Sequence, residues 1–189
     1  MRRIVQFMHV SLDGFVAGPN GEMDWIIVDE SLFDFANDRT NKSNAALYGR
    51  NTFLMMDGYW PTAADGPNPS KHDREHSAWY MKVDKYVLSH TLKSDPSKKL
   101  HVIGKDLVNE IKEIKKGPGE EILIFGSPSA GHSLAQLGLV DEYWLFINPV
   151  LLGQGIPMFK GLKDITRLKL QKTHTFENGV VCVNYVKEK

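Results

Sequence analysis

Short apolar runs recur along the chain and predict its β-strands. Residues 4–10 are apolar and rich in β-branched side chains, as is typical of a buried strand. Asn178-Gly179, which favours a tight hairpin turn, lies between the last two runs. The further predicted strands are residues 45–48, 86–88, 101–103, 121–125, 143–152, 168–176 and 180–186.

Apolar residues spaced three or four apart predict helices between several of these strands. Residues 62–70 are rich in glycine and proline and predict a loop instead. The helices are predicted around residues 28–36, at residues 52–57 with Gly58 as the stop, from Leu107 to Gly117-Pro118, and from Ser127-Pro128 to Gly138.

Strands alternate with helices until the last third of the chain, where a hairpin takes over. This order predicts an α/β fold: a mostly parallel mixed sheet with helices on both faces and an antiparallel edge. A length of 189 residues predicts a single domain. Because ligands of such sheets bind beyond the carboxyl ends of the strands, we expect the functional residues in the loops that follow strands.

Composition narrows the choice of partners and compartment. Lysine plus arginine and aspartate plus glutamate both number 23, so the net charge is zero and a nucleic-acid partner is not expected. No apolar run approaches the ~18 residues of a membrane span. The only cysteine, Cys182, cannot form an internal disulfide, which favours the cytoplasm.

Two turns between a strand and a helix predict anion binding. Gly126, Ser127 and Pro128 open a predicted helix, where small residues let a phosphate approach the backbone amides. Gly49 and Arg50 occupy the same place after another strand, and arginine offers a planar fork to phosphate oxygens. Phosphate sites on two separate strands suit a dinucleotide that carries a 2′-phosphate.

The first of these turns has two other interpretations. Residues 126–133 match the phosphate loop of nucleotide triphosphatases, except that His132 replaces the lysine that reaches the terminal phosphates. Residues 137–142 imitate the magnesium-binding strand of such enzymes, although the carboxylates precede their strand. A plain tight turn without a ligand is the third interpretation.

The sequence also contains weaker candidates for metal ligands and for proton donors. His72, Glu75 and His76 match an inverted zinc-protease pattern, but the segment lacks a third ligand and is predicted to be a solvated loop or short helix without metal. Asp13, Asp34 and Asp57 are candidate proton donors if burial raises their pKa. Turn formation and surface or capping positions are the alternative interpretations.

Seven short motifs occur in an order that resembles a known family. The similarity is to dihydrofolate reductase-like proteins, above all the C-terminal reductase domain of bifunctional riboflavin-biosynthesis deaminase/reductases, and it covers nearly the whole chain. The motifs are Ser11-Leu12-Asp13-Gly14, Gly49-Arg50-x-Thr52, Val87-Leu88-Ser89, Ile124-Phe125-Gly126-Ser127, Leu139-Val140-Asp141-Glu142, Pro149-Val150-Leu151-Leu152-Gly153 and Asn178-Gly179.

The resemblance implies a three-layer α/β/α sandwich, NADPH as cofactor and a homodimer. Gly126, Ser127 and Pro128 would hold the cofactor diphosphate, and Val16 and Ala17 would lie where a loop closes over the nicotinamide. The other implied cofactor residues are Gly49, Arg50 and Thr52 at the phosphates and Leu88, Ser89 and His90 at the 2′-phosphate.

The implied activity is hydride transfer from NADPH to a small pyrimidine- or pterin-type substrate, as in 5-amino-6-(5-phosphoribosylamino)uracil reductase. The two branches of the family place the acid differently, so the resemblance implies either Asp34 or Asp57 as proton donor. Two alternatives stay open: a phosphate-loop enzyme that binds a nucleoside triphosphate at residues 126–133, and a non-catalytic nucleotide sensor on the reductase fold.

Overall fold

The structure, a computed structural model, describes residues 1–188. The strands are β1 (Arg3–Ser11), β2 (Phe15–Ala17), β3 (Ser43–Gly49), β4 (Asp84–Leu88), β5 (Leu100–Ile103), β6 (Glu121–Phe125), β7 (Glu142–Asn148), β8 (Ile156–Pro157), β9 (Leu168–Thr175) and β10 (Val181–Lys187). The helices are α1 (Glu30–Thr40), α2 (Arg50–Ala63), α3 (Lys71–Lys82), α4 (Leu107–Lys116) and α5 (Pro128–Gln136). The predicted α/β fold with a mostly parallel mixed sheet is confirmed.

The chain forms two compact units, and β6 contributes to both. The first unit contains residues 1–2 and 30–123, and its strands follow the order β5-β4-β3-β6. The strands β3, β4 and β5 pair in parallel, with Gly49 opposite Leu88 and Leu88 opposite Ile103. This register brings the carboxyl ends of the three strands to one edge.

The second unit contains residues 3–29 and the chain from residue 124 onward. Its strands follow the order β6-β1-β7-β10-β9, in which β1 and β7 are parallel and the β9–β10 hairpin is antiparallel. Phe146 of β7 is fully buried, with its ring 4.8 Å from that of Phe7 and 6.3 Å from that of Phe176. The strands β2 and β8 form a separate two-stranded antiparallel sheet that the apolar pattern did not predict.

The predicted end of the second helix at Gly58 is wrong, because α2 continues to Ala63. A glycine inside a helix costs only about 1 kcal/mol, and the space around Gly58 is open. Trp60, one turn short of the helix end, packs its ring 4.1 Å from that of His76 on α3. This tertiary contact outweighs the local preference for a stop.

Of the two forms predicted for the segment around His72 and His76, a solvated loop or a short helix, the structure shows a helix. It forms α3, which begins at a capping box made by Ser70 and Asp73. The His72 ring stacks 3.9 Å from that of Phe33, and the buried His76 lies between Trp60 and Trp79. Within residues 1–188 no group of three or more His, Cys, Asp or Glu side chains is arranged to hold a metal ion, and these histidines pack in an aromatic cluster.

The burial of His76 makes the stability of the fold depend on pH. Burial, with a smaller contribution from the charge of His72, lowers the pKa of His76 from 6.5 to about 3. The folded protein therefore holds a neutral imidazole that the unfolded chain would protonate. Its contribution to stability is complete above pH 6.5 and is lost as the pH falls towards 3.

We expect His76→Phe to flatten this pH dependence. In urea denaturation between about pH 6 and pH 4, the slope of the unfolding free energy should decrease by up to ~1.4 kcal/mol per pH unit relative to the wild type. Trp60→Phe, which changes the same cluster without removing a titrating group, should lower stability equally at each pH. A His76→Phe slope equal to that of the wild type would contradict the buried neutral imidazole.

Candidate active site

The loop after β1 is held by an ionised aspartate. The Asp13 carboxylate accepts hydrogen bonds from Ser11 Oγ at 2.6 Å and from the backbone amides of Leu152 and Gly153 at 3.1 and 2.7 Å. The hydroxyl bond, followed by the two amide bonds, lowers the pKa of Asp13. Asp13 therefore clamps the loop at residues 150–153 to the end of β1 and is poorly suited to donate a proton.

Val16 and Ala17, predicted beside the nicotinamide, are buried in β2. The strand β2 pairs with β8 at Phe15 and Ala17, and a Cβ at Gly155 would overlap the Ala17 carbonyl oxygen. The side chains of Val16 and Ala17 point into the protein. Any contact of this segment with a ligand would therefore be made mainly by backbone groups.

The turn between β6 and α5 has the form expected of an anion site. Gly126 and Ser127 both adopt left-handed conformations with φ of 55°, and Pro128 is the first helical residue. The Ser127 side chain makes no capping bond to the first turn of the helix. Gln6 holds the turn by donating from Nε2 to the Gly126 carbonyl oxygen at 3.0 Å. The helix amides and the helix dipole at this turn suit an anionic group.

The phosphate-loop interpretation of the same turn finds no support in the side-chain positions. His132, in place of the lysine, has its Nε2 2.8 Å from the Pro157 carbonyl oxygen, and Ser133 donates to the Ser129 carbonyl oxygen. Asp141, the candidate magnesium ligand, accepts from the Ile4 amide at 2.7 Å. Ile4 lies at the amino end of β1, at the opposite end of this strand from the loop that Asp13 holds.

In the first unit, the residues predicted to bind phosphate lie together, where β3 and β4 have their carboxyl ends. Gly49 caps α2 without a side-chain bond, and Arg50 begins the helix with an exposed side chain. Ser89 follows β4, and its Oγ accepts from the amides of Thr91 and Leu92 at 3.2 and 3.0 Å. The remaining members of this edge are Thr52 on the first turn of α2, Leu88 at the end of β4 and the exposed His90.

The two predicted acids lie elsewhere and are not brought together. Asp57 is in the middle of α2 and accepts hydrogen bonds from Tyr80 Oη at 3.2 Å and Lys98 Nζ at 3.1 Å. Because Lys98 precedes β5, this contact is at the amino end of the strand. Asp34, half exposed on α1, pairs with Lys71 at 2.5 Å. A role of either carboxylate as proton donor stays a prediction.

A polar network at the ends of β1 and β7 was not predicted. Fully buried Asn148 accepts from the Ile27 amide at 2.9 Å through Oδ1, and its Nδ2 donates to the Phe146 carbonyl oxygen at 3.0 Å and to His9 Nδ1 at 3.3 Å. Burial lowers the pKa of His9 to about 4. The available sequence signal was His9 itself, a polar residue on the same strand face as Ser11 inside an apolar run.

The Asp29 carboxylate also lies in the second unit and contacts the β9–β10 turn. Asp29 directly precedes α1, and its Oδ2 accepts from Asn178 Nδ2 at 2.6 Å. Asn178 is in the β9–β10 turn, where its Oδ1 accepts from the Val180 amide. The Asn178-Gly179 hairpin, predicted as a turn, thus also holds the segment that leads into α1.

The comparisons with known proteins identify the family of the chain. The family model of the RibD C-terminal domain matches residues 2–182, so the chain belongs to that family. The uncharacterised protein YyaP of Bacillus subtilis is 37% identical over 186 residues, which cover 97% of this chain and 94% of YyaP.

Two solved structures show the same fold. The diaminohydroxyphosphoribosylaminopyrimidine deaminase/5-amino-6-(5-phosphoribosylamino)uracil reductase of Thermotoga maritima matches with a TM-score of 0.70 and 13% identity, over 99% of this chain and 57% of that one. Dihydrofolate reductase of Enterococcus faecalis, complexed with NADP(H), matches with a TM-score of 0.64 and 15% identity, over 99% and 97%. No helix within residues 1–188 is both long and apolar enough to span a membrane.

Removing the Asn148 carboxamide should loosen the segment before α1. We expect Asn148→Leu to lower the free energy of unfolding by about 1–3 kcal/mol, because it leaves the Ile27 amide and the Phe146 carbonyl without this partner. Hydrogen exchange should show reduced protection of the Ile27 amide. Asn51→Leu, at an exposed position on α2, is the control and should change neither quantity; retained protection at Ile27 in Asn148→Leu would disprove the anchoring role.

Proposed function

We propose that the protein is an NADPH-dependent reductase that transfers hydride to a pyrimidine- or pterin-type heterocycle. The observation that carries this proposal is a pair of helix N-termini, at α2 and α5, each of which begins within three residues of the end of a strand. Each suits a phosphate group, and NADPH has phosphates at two separate places. The family membership and the reductase named in the Thermotoga maritima protein support the substrate class.

The cofactor residues that the family resemblance implies fall into two groups along the chain. Gly126, Ser127 and Pro128 would hold the diphosphate at α5, and the backbone of Val16 and Ala17 would border the nicotinamide. Gly49, Arg50 and Thr52 would contribute to the phosphate sites, and Leu88, Ser89 and His90 would border the 2′-phosphate. Of these residues, we assign to Arg50 the positive charge that a 2′-phosphate needs.

NADPH, when bound, supplies the hydride, so the protein supplies binding, orientation and exclusion of water. One proton must reach the reduced substrate. Asp57 and Asp34 are the donors that the family resemblance implies, and we add Asp29 because it lies beside the end of the sheet in the second unit. A water molecule oriented by one of these carboxylates would serve equally.

We also propose a homodimer in the cytoplasm. Leu145 and Ile147 of β7 lie opposite Val183 and Val181 of β10, and this row of apolar side chains is only partly buried. Partly exposed apolar rows of this kind commonly pack against a partner. Cys182 is buried and forms no disulfide within the described residues, as suits a reducing compartment.

A substitution of Arg50 tests whether the protein prefers NADPH to NADH. We expect Arg50→Gln to weaken NADPH binding about tenfold, because one charge-assisted phosphate contact is lost, and to leave NADH binding almost unchanged. Titrations that follow quenching of the four tryptophans would measure both. Arg167→Gln, at an exposed arginine of the second unit, is the matched control. Equal weakening of both nucleotides, or tight Mg-ATP binding without a response to NADPH, would refute the proposal.

Amide variants of the three carboxylates would show which of them donates the proton. The variant of the true donor should lose about 100-fold or more in kcat, with a smaller change in KM, because general acid catalysis contributes on that order. Asp29→Asn, Asp34→Asn and Asp57→Asn are assayed against the same substrate. If turnover survives in all three, the proton comes from another group; NADPH binding without turnover of any pyrimidine or pterin would indicate a nucleotide sensor.

A further inference from the structure

His9 is held in one orientation by its neighbours on the sheet. It lies opposite Phe146 in the β1–β7 register, and the two rings stack with centroids 5.0 Å apart and an angle of 23°. Asn148, two residues beyond Phe146, contacts the Nδ1 side of the ring. The imidazole is therefore restrained both in its plane and at one edge.

The Asn148 network determines which ring nitrogen carries the proton. A backbone N–H, that of Ile27, can only donate, so the Asn148 atom facing it must be Oδ1. A backbone carbonyl, that of Phe146, can only accept, so the atom facing it must be Nδ2. The second N–H of this amide then points to His9 Nδ1, which must accept. His9 is thereby fixed as the neutral tautomer with its proton on Nε2.

The Nε2–H group of His9 has no hydrogen-bond partner within residues 1–188. His9 is only partly buried, and its Nε2 is not among the buried side-chain atoms that lack a partner, so this edge of the ring is open to solvent or to a bound molecule. His9 is also two residues before Ser11, at the carboxyl end of β1, where ligands of parallel sheets bind. The donor is thus positioned for a ligand.

We propose that His9 Nε2–H donates a hydrogen bond to a carbonyl oxygen of the heterocyclic substrate and that Asn148 is the positioning residue that keeps this proton on Nε2. This inference rests on the proposed function. His9 would act as a specificity-determining residue. A fixed N–H donor can form a hydrogen bond to an oxo group, whereas an amino group at the same place offers it another N–H donor and is disfavoured. The neutral imidazole polarises the oxygen without transferring a proton.

The tautomer is measurable without any ligand. In protein labelled with ¹⁵N-histidine, two-bond ¹H–¹⁵N spectra at neutral pH should show His9 protonated at Nε2, with the signal assigned by its loss in His9→Gln. Asn148→Asp replaces the donor facing Nδ1 with an acceptor, so the proton should move to Nδ1 or the ring should become doubly protonated. A wild-type His9 protonated at Nδ1 would overturn the proposal, whatever the enzyme's activity.

The recognition step is tested with a matched pair of ligands. Lumazine (2,4-dioxopteridine) carries oxo groups where 2,4-diaminopteridine carries amino groups. We expect lumazine to bind at least tenfold more tightly than 2,4-diaminopteridine and to shift the His9 Nε2–H resonance. His9→Phe should lose about tenfold in lumazine affinity, whereas His9→Gln, which keeps an N–H donor, should stay within about threefold of the wild type.

The outcomes separate this proposal from the proposed function. Lumazine binding that is equal in wild type and His9→Phe, or no binding of lumazine at millimolar concentration, overturns the role of His9. If wild type binds NADPH in the Arg50 titrations and His9→Phe binds lumazine normally, the reductase stands and only this inference falls. If lumazine binding depends on His9 but NADPH does not bind, the donor stands and the reductase falls.

Discussion

The parallel pairing of β1 with β7 is the contact on which the second unit depends. It places His9 opposite Phe146 and Ser11 opposite Asn148, so one face of the sheet carries an aromatic core that ends in polar side chains. A shift of one residue would move these groups to the other face. The same register therefore sets both the packing of Phe146 and the position of the candidate substrate donor.

Asn148 shows how one buried amide can serve stability and recognition together. All its polar atoms are used, by Ile27, Phe146 and His9, so a fully buried polar side chain carries no uncompensated cost. Because two of these partners are backbone groups with only one possible role, the amide cannot rotate to suit another tautomer of His9. The arrangement gives the site a defined donor before any ligand arrives.

The elements of the fold were largely predictable, because apolar periodicity reports burial directly. The strand at residues 121–125 and the helix ended by Gly117 were predicted to within a residue or two. The predicted stop at Gly58 was wrong, since α2 continues past it and Trp60 packs against His76 of another helix, a contact that the residues near Gly58 do not report. The aromatic surroundings of His72 and His76 were missed for the same reason: Phe33 and Trp60 come from other helices, and only Trp79 is a near neighbour in the chain.

By itself the sequence determined the order of strands and helices, the glycine-rich turns at Gly49 and Gly126, and the family to which their order points. Those features are local, since turn chemistry and hydrophobic spacing act within a few residues. Only the tertiary structure decided that Asp57 lies with Lys98 near an amino strand end and that Asp13 is a clamp. It alone joined His9 to Asn148, 139 positions apart in the chain, because a hydrogen-bond partner across a sheet is set by register and leaves no mark in the neighbouring residues.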